Sequence, residues 1–331
     1  MTNNYPIIFG IGNPLIDVVI NATEEDIISL ELSKGTMALV DSKRQGEILN
    51  YYKEKETNYF PGGSAPNTLL ACSGLGINSH ISGKIGKDKL GEIYLERVRE
   101  YGTDSGIVLG EGPTGSSIIL VTPDGERTMN TNLGMCQKYA AEDIDEEKLS
   151  KAKFFYFTGY MWDTDSQKSA IKKAIQIAKE NNVKIVFDVA DPFAVNRNKD
   201  SFLQLIKHDI DILFANKSEL KILMDSEDLD FCIEDLKKVV KNFGIKLGKD
   251  GSTIFNDNEK YVIEPSPVLA KDTTGAGDMY AAGFLASLAK GNNYESAGKV
   301  AVKLAEEVIQ IQGAQFDIHV IRRLGKSLNE I

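Results

Sequence analysis

From about Lys151 onward the chain alternates short β-rich runs with helical stripes, and this alternation narrows the fold more than any other feature. Ala152 to Thr158 is apolar and aromatic and ends at Gly159. Asp165 to Asn181 follows, with Ile171, Ala174, Ile175 and Ala178 on one helical face. Val183 to Asp188 and Ile210 to Ala215 are two more β-rich runs. Strands alternating with helices imply βαβ units and a mostly parallel sheet with right-handed connections. Ligands of such sheets gather at the carboxyl ends of the strands. A last helix is expected over Ala297 to Gln312, with Val300, Leu304, Val308 and Ile311 on one face and Gly313 as its stop.

Two stretches break the alternation. Ser116 to Thr122 and Arg127 to Thr131 flank Pro123-Asp124-Gly125-Glu126, the pattern of a β-hairpin. Val18 to Ile20 and Met37 to Val40 are candidate strands near the N-terminus. Antiparallel pieces of this kind do not belong inside a parallel sheet. They are expected to form either a small lid over the active face or an ordinary edge hairpin.

At 331 residues, 42% apolar and 26% charged, the chain has ample material for a core. A net charge of −10 argues against a nucleic-acid partner, since phosphate backbones require a basic surface. A nucleotide needs only a local nest of donors and is not excluded. No apolar run reaches the ~18 residues of a membrane span. The opening Met1-Thr2-Asn3-Asn4-Tyr5 has no basic region, so no signal peptide is expected. Cys72, Cys136 and Cys232 form no CxxC pair, consistent with a reduced, cytoplasmic chain. His80, His208 and His319 show no ligand spacing and are expected in core or surface roles.

The most informative segment for chemistry is Asp272-Thr273-Thr274-Gly275-Ala276-Gly277-Asp278, followed by an Ala-rich run from Met279 to Lys290 read as an amphipathic helix. Glycines let a backbone approach an anion closely. The free N–H groups and positive dipole end of a helix N-terminus would hold it. A carboxylate at Asp278, beside a bound phosphate, is useful if it takes a proton from an attacking hydroxyl. The segment therefore reads as phosphoryl transfer to an alcohol; the bland alternative is an Asp cap after a Gly-rich turn.

Other constellations are weaker alone. Gly10-Ile11-Gly12-Asn13 follows an apolar run, but Leu15 stands where a dinucleotide fingerprint needs its third glycine. Asn13 and Asp17 suit the vicinal hydroxyls of a sugar. Pro61-Gly62-Gly63-Ser64-Ala65-Pro66-Asn67 opens a helical run, Thr68 to Leu75, without P-loop spacing. Gly62 and Gly63 would let a ligand touch backbone, and Asn67 would reach a hydroxyl. Asn216 and Glu219 sit three apart in a first helical turn, and form either a simple cap or a partner for hydrated magnesium. Gly244 to Gly251 holds a strand and a Gly-bounded turn that would border a nucleotide, with Lys246 a phosphate contact or a solvated residue.

Taken together, these motifs resemble the ribokinase-like (PfkB) carbohydrate and nucleoside kinases, from Gly10 to Gln315. Asp272 to Asp278 is similar to the family's DTxGAGD signature, Gly62 to Asn67 to its GGxxxN signature, Asn216 to Glu219 to NxxE, and Gly248-Lys249-Asp250-Gly251 to its nucleotide-side turn. Gly12-Asn13-Pro14-Leu15-Ile16-Asp17, Arg127 to Thr131, Gly159 to Asp163 and Asp191-Pro192-Phe193 resemble the adenosine kinase-like branch. Lys246 departs from the Thr that many relatives carry.

The resemblance implies one three-layer α/β/α domain over residues 1–331, with a β-sheet lid formed by roughly 14–45 and 108–135. It implies transfer of the γ-phosphoryl of MgATP to the 5′-hydroxyl of adenosine, with Asp278 as base. Gly275, Ala276 and Gly277 would form the anion hole. Asn13, Asp17, Gly62, Gly63 and Asn67 would hold the acceptor sugar, and Met37, Tyr160, Met161, Trp162 and Phe193 would sandwich a purine. Asn216, Lys246, Gly248 and Gly251 would face the nucleotide, Glu219 would act on Mg²⁺ indirectly, and Asp272 would serve a monovalent cation such as K⁺. The expected partners are small molecules, with no nucleic acid or membrane, and the chain is a monomer or homodimer. A sugar kinase, an inosine or guanosine kinase, and a non-catalytic nucleoside-binding protein are the alternatives.

Overall fold

A computed structural model of the chain describes residues 5–55 and 57–327. The opening segment Met1 to Asn4 lies outside them.

Nine strands form the larger sheet, in the spatial order Glu259–Ile263, Ser252–Asn256, Asn242–Lys246, Ile212–Asn216, Lys184–Asp188, Phe154–Thr158, Ile8–Ile11, Ser79–Gly86, Asp104–Gly110. The pairings from Asn242–Lys246 through Asp104–Gly110 are all parallel. An antiparallel hairpin closes the far edge. Alternate side chains of these strands feed two cores, as the period-2 geometry of a strand requires. Ile8, Tyr156, Val186 and Phe214 face helices Ser64–Gly74, Ala276–Ala289 and Tyr294–Val308. Phe9, Phe155, Phe157, Phe187 and Leu213 face helices Asp165–Glu180, Pro192–His208 and Lys217–Met224. The fold is the expected three-layer α/β sandwich.

A second sheet has five strands, in the order Met37–Leu39, Arg127–Asn132, Ser116–Val121, Leu15–Asn21, Asn58–Gly62. The hairpin of Ser116–Val121 with Arg127–Asn132 is present. The sheet is nevertheless mixed rather than antiparallel throughout. Leu15–Asn21 runs parallel to Ser116–Val121, and Met37–Leu39 parallel to Arg127–Asn132. Asn58–Gly62 is a fifth strand outside the two inserts as read, and residues 108–110 lie in the larger sheet.

Two helical readings need correction. The helix after the Gly-rich loop is buried all round from Met279 to Leu288, because it is wedged between the sheet and two other helices; it is not amphipathic. The helix read as the last one spans Tyr294–Val308, Gly313 lies beyond its end, and Ile318–Ser327 follows. That final helix buries Ile318, Ile321 and Gly325 against the core, with Val320 and Leu324 packed beside them, a one-sided apolar stripe legible in the sequence. Cys72, Cys136 and Cys232 are buried free thiols. His80 is a core residue stacked on Phe9, with Nδ1 at 2.7 Å from Asp104. Among the described residues no helix is long and apolar enough to cross a membrane.

Candidate active site

Five loops converge because the parallel strands all end on one side. Gly12 and Asn13 follow Ile8–Ile11, Gly159 and Tyr160 follow Phe154–Thr158, and Asp188, Asn216 and Lys246 end the next three strands. Register keeps them level: Asp188 is opposite Thr158, and Asn216 opposite Lys246. This is where open parallel sheets bind ligands.

Two helices aim their N-termini into the same space. Most helices here start on a side-chain cap, as Asp165–Glu180 does on Thr164. Ser64–Gly74 and Ala276–Ala289 start instead on Gly63 and Gly275, with no side-chain cap. Both glycines have positive φ, +95° and +77°, a region most side chains avoid. A Cβ on Gly63 would also strike the Asn13 carbonyl. The open first turns leave backbone donors for a ligand, although the Ala276 N–H already turns back to the Thr273 carbonyl at 3.3 Å.

Asp278, in the first turn of its helix, accepts hydrogen bonds from the Ser64 hydroxyl at 2.6 Å and the Asn67 amide at 2.8 Å. The Asn67 oxygen accepts from Gln315 at 2.8 Å, which also holds the Pro61 carbonyl. Loss of water around Asp278 pushes its pKa up to about 6; Ser64 and Asn67 oppose the shift and the charge of Asp188 adds to it. Asp17 is pushed up to about 7, by burial first, with Arg127 opposing and Asp278 reinforcing. Gly62 lies against Asp17, whose carboxylate occupies the space a Cβ there would need.

A cavity of about 350 Å³ opens onto these groups. Asn13, Asp17, Gly63, Asn67 and Asp278 supply its polar wall. Leu15, Met37, Leu39, Ile119 and Met129 from the second sheet supply apolar lining, interspersed with Ser117, Arg127 and Thr131 of the same sheet, and Tyr160 lines it as well. Asn13 is fixed by Gln167, which donates to it at 2.7 Å. Three residues of the expected aromatic sandwich lie elsewhere. Met161 and Trp162 are buried in the core, and Phe193 is exposed on the surface.

A second cavity, of about 760 Å³, adjoins the first: Ala190, Thr273 and Gly277 line both. Ala276, Asn216, Glu219, Lys246, Gly248 and Gly251 also border it. Asn216 and Glu219 do form the capping box: Asn216 Oδ1 accepts from the Glu219 N–H at 2.9 Å, and the Glu219 carboxylate accepts from the Asn216 N–H at 2.6 Å and its amide at 2.5 Å. Burial pushes Glu219 up to about 7 against the pull of Lys246. Lys246 is no solvated residue. Its ammonium pairs with Asp188 at 2.8 Å, and although burial disfavours the charge, Asp188 and Glu219 hold its pKa above the ordinary lysine range. Among the described residues no three His, Cys, Asp or Glu side chains converge to hold a metal ion directly.

Asp272 lines neither cavity and braces the loop from behind, through Thr274, Gly313 and Arg127. Ser64, Asp188, Gln315 and the guanidinium of Arg127 had no assigned role from sequence. Ser64 and Asp188 carried a usable signal, one inside the Gly-rich turn and the other at a strand end; Gln315 carried none.

A family model for "pfkB family carbohydrate kinase" matches residues 38–321. An adenosine kinase of Saccharomyces cerevisiae is 28% identical over 92% of this chain and 95% of its own. The crystal structure of an adenosine kinase from Sinorhizobium meliloti superposes with a TM-score of 0.90 at 32% identity, covering 98% of this chain and 99% of that one. A "probable sugar kinase" from Rhizobium etli superposes with a TM-score of 0.91 at 30% identity, covering 99% of each. With a match running through both sheets and the Asp278 loop, the chain belongs to the pfkB carbohydrate kinase family and is a phosphotransferase acting on a hydroxyl group.

Proposed function

We propose that the protein transfers the γ-phosphoryl of MgATP to the 5′-hydroxyl of adenosine, giving AMP. One observation carries the reading: two cavities meet at Gly277, and Asp278 stands on the smaller one, at the junction. The smaller cavity pairs a polar wall suited to ribose hydroxyls with apolar lining suited to a flat base, which supports a nucleoside over a free sugar. The larger cavity, bordered by Lys246 and the Gly248–Gly251 turn, takes the nucleotide.

In this mechanism Asp278 accepts the proton of the 5′-hydroxyl as the new P–O bond forms. A carboxylate at about 6 is ionised at neutral pH yet more basic than an ordinary aspartate. Ser64 and Asn67 hold it in line, and Asn13 and Asp17 hold the ribose. The amide of Gly277 and the helix dipole meet the migrating charge. Bound Mg²⁺ supplies charge neutralisation on the triphosphate. The Glu219 oxygens are turned to Asn216, so they would meet the ion through water rather than as direct ligands. Transfer of this kind depends mostly on positioning and electrostatics.

The resemblance to the Rhizobium etli sugar kinase favours one second reading, a sugar acceptor at the same site. An ADP-release assay with adenosine, inosine, guanosine, ribose and fructose separates the two. Adenosine should give the highest kcat/KM; preference for ribose or fructose would replace the nucleoside reading, and nucleoside binding without ADP release would end the kinase mechanism.

A further inference from the structure

The Gly-rich loop is braced by an arginine from the other sheet. Asp272 Oδ2 accepts from Arg127 Nη2 at 2.9 Å and from the Gly313 N–H at 2.8 Å. Asp272 Oδ1 accepts from the Thr274 N–H at 2.9 Å and the Thr274 hydroxyl at 2.7 Å. A carboxylate offers about four lone-pair positions, so this one is full. The Thr274 hydroxyl donates to Asp272 and accepts from Arg127 Nη1, so its one remaining lone pair lies beside the guanidinium. A monovalent cation at Asp272 would need free oxygens and would sit beside a guanidinium already paired there. These residues do not fit one.

We propose that Arg127 supplies the positive charge that orders the 272–277 loop, so that phosphoryl transfer here needs no monovalent cation, and that loop order depends on the second sheet being docked. The inference rests on the kinase reading of that loop. The side chains of Arg127 and Asp272 are 23% and 10% exposed, so salt screens the pair little. The planar fork of Arg127 spans Asp272 and Thr274 together, a geometry that a spherical ion or a lysine does not reproduce. Arg127 also faces Asp17, so the same charge reaches the acceptor cavity. It acts here as a positioning residue, through the loop.

The test compares wild type with Arg127→Met and Arg127→Lys, in KCl and in choline chloride at matched ionic strength, reading turnover and deuterium exchange of the 272–277 amides. Wild type should show the same turnover and exchange in both salts. In Arg127→Met the loop amides should exchange about tenfold faster or more, with turnover reduced, and Arg127→Lys should fall between. Wild-type turnover that requires K⁺ would overturn the proposal. So would an Arg127→Met protein whose loop stays as protected as wild type, whatever its activity. If wild type transfers phosphoryl to no alcohol at all, the kinase reading fails, while the exchange comparison still decides the role of Arg127.

Discussion

Asp278 is worked on by opposing forces, and each can be measured. Enclosure raises its pKa to about 6, while Ser64 and Asn67 favour the charged form. General-base catalysis is worth ~10²–10⁴-fold, so Asp278→Ala should lower kcat by about that factor, with an unchanged circular dichroism spectrum. The base must be ionised, so kcat/KM for the acceptor should fall as pH drops below about 6. Ionised Asp17, raised to about 7, should add an earlier decline that Asp17→Asn removes. Stability runs the other way. A carboxyl whose folded pKa exceeds its unfolded value leaves the native state holding more protons, so stability is lost as pH rises towards the folded pKa. Thermal melts of Asp278→Asn should therefore gain on wild type from pH ~4 to ~6 and keep a constant lead above that.

Elements carry a different kind of control. Helix Lys217–Met224 begins on the Asn216–Glu219 capping box, which holds a buried carboxylate at the wall of the larger cavity. Asn216→Ala removes both a cap and the side-chain donor to that carboxylate, leaving only the backbone N–H. It should cost about 1 kcal/mol in denaturant unfolding and raise KM for MgATP; an unchanged KM would leave the pair a purely structural cap. Helix Ala276–Ala289 depends instead on the absence of a side-chain cap. Gly275 has positive φ and its missing Cβ makes room for Ala314. Gly275→Val should tilt the first turn and lower turnover far more than it lowers acceptor affinity by calorimetry.

At the scale of the molecule, the smaller cavity is lined by residues from both sheets and the loops at their ends. Apolar residues from the second sheet face Asp278 across the smaller cavity. Closure of that space around substrate would keep water from the phosphoryl group. ATP hydrolysis measured without acceptor should accordingly be much slower than transfer to adenosine; equal rates would remove the second sheet from this role. The same enclosure explains which parts of the site could be read in advance. The Gly62–Asn67 turn and the Asp272–Asp278 loop concentrate their chemistry within a few residues, and the β–α alternation fixed which strand ends they would approach. Phe193 looked like a wall of the purine pocket and lies on the surface, because an aromatic side chain next to a proline carries no signal of the direction it faces.

The chain by itself determined the parallel sheet, the Gly-opened helix starts and the carboxylate at Asp278. These depend on local periodicity and on backbone geometry that a short segment imposes on itself. Only the tertiary structure decided which charges meet. Asp278 bonds to Ser64 across 214 residues, Asn67 to Gln315 across 248, and Arg127 to Asp272 across 145. Such pairs are set by the packing of whole layers, and it is burial by that packing that raises the pKa of Asp278.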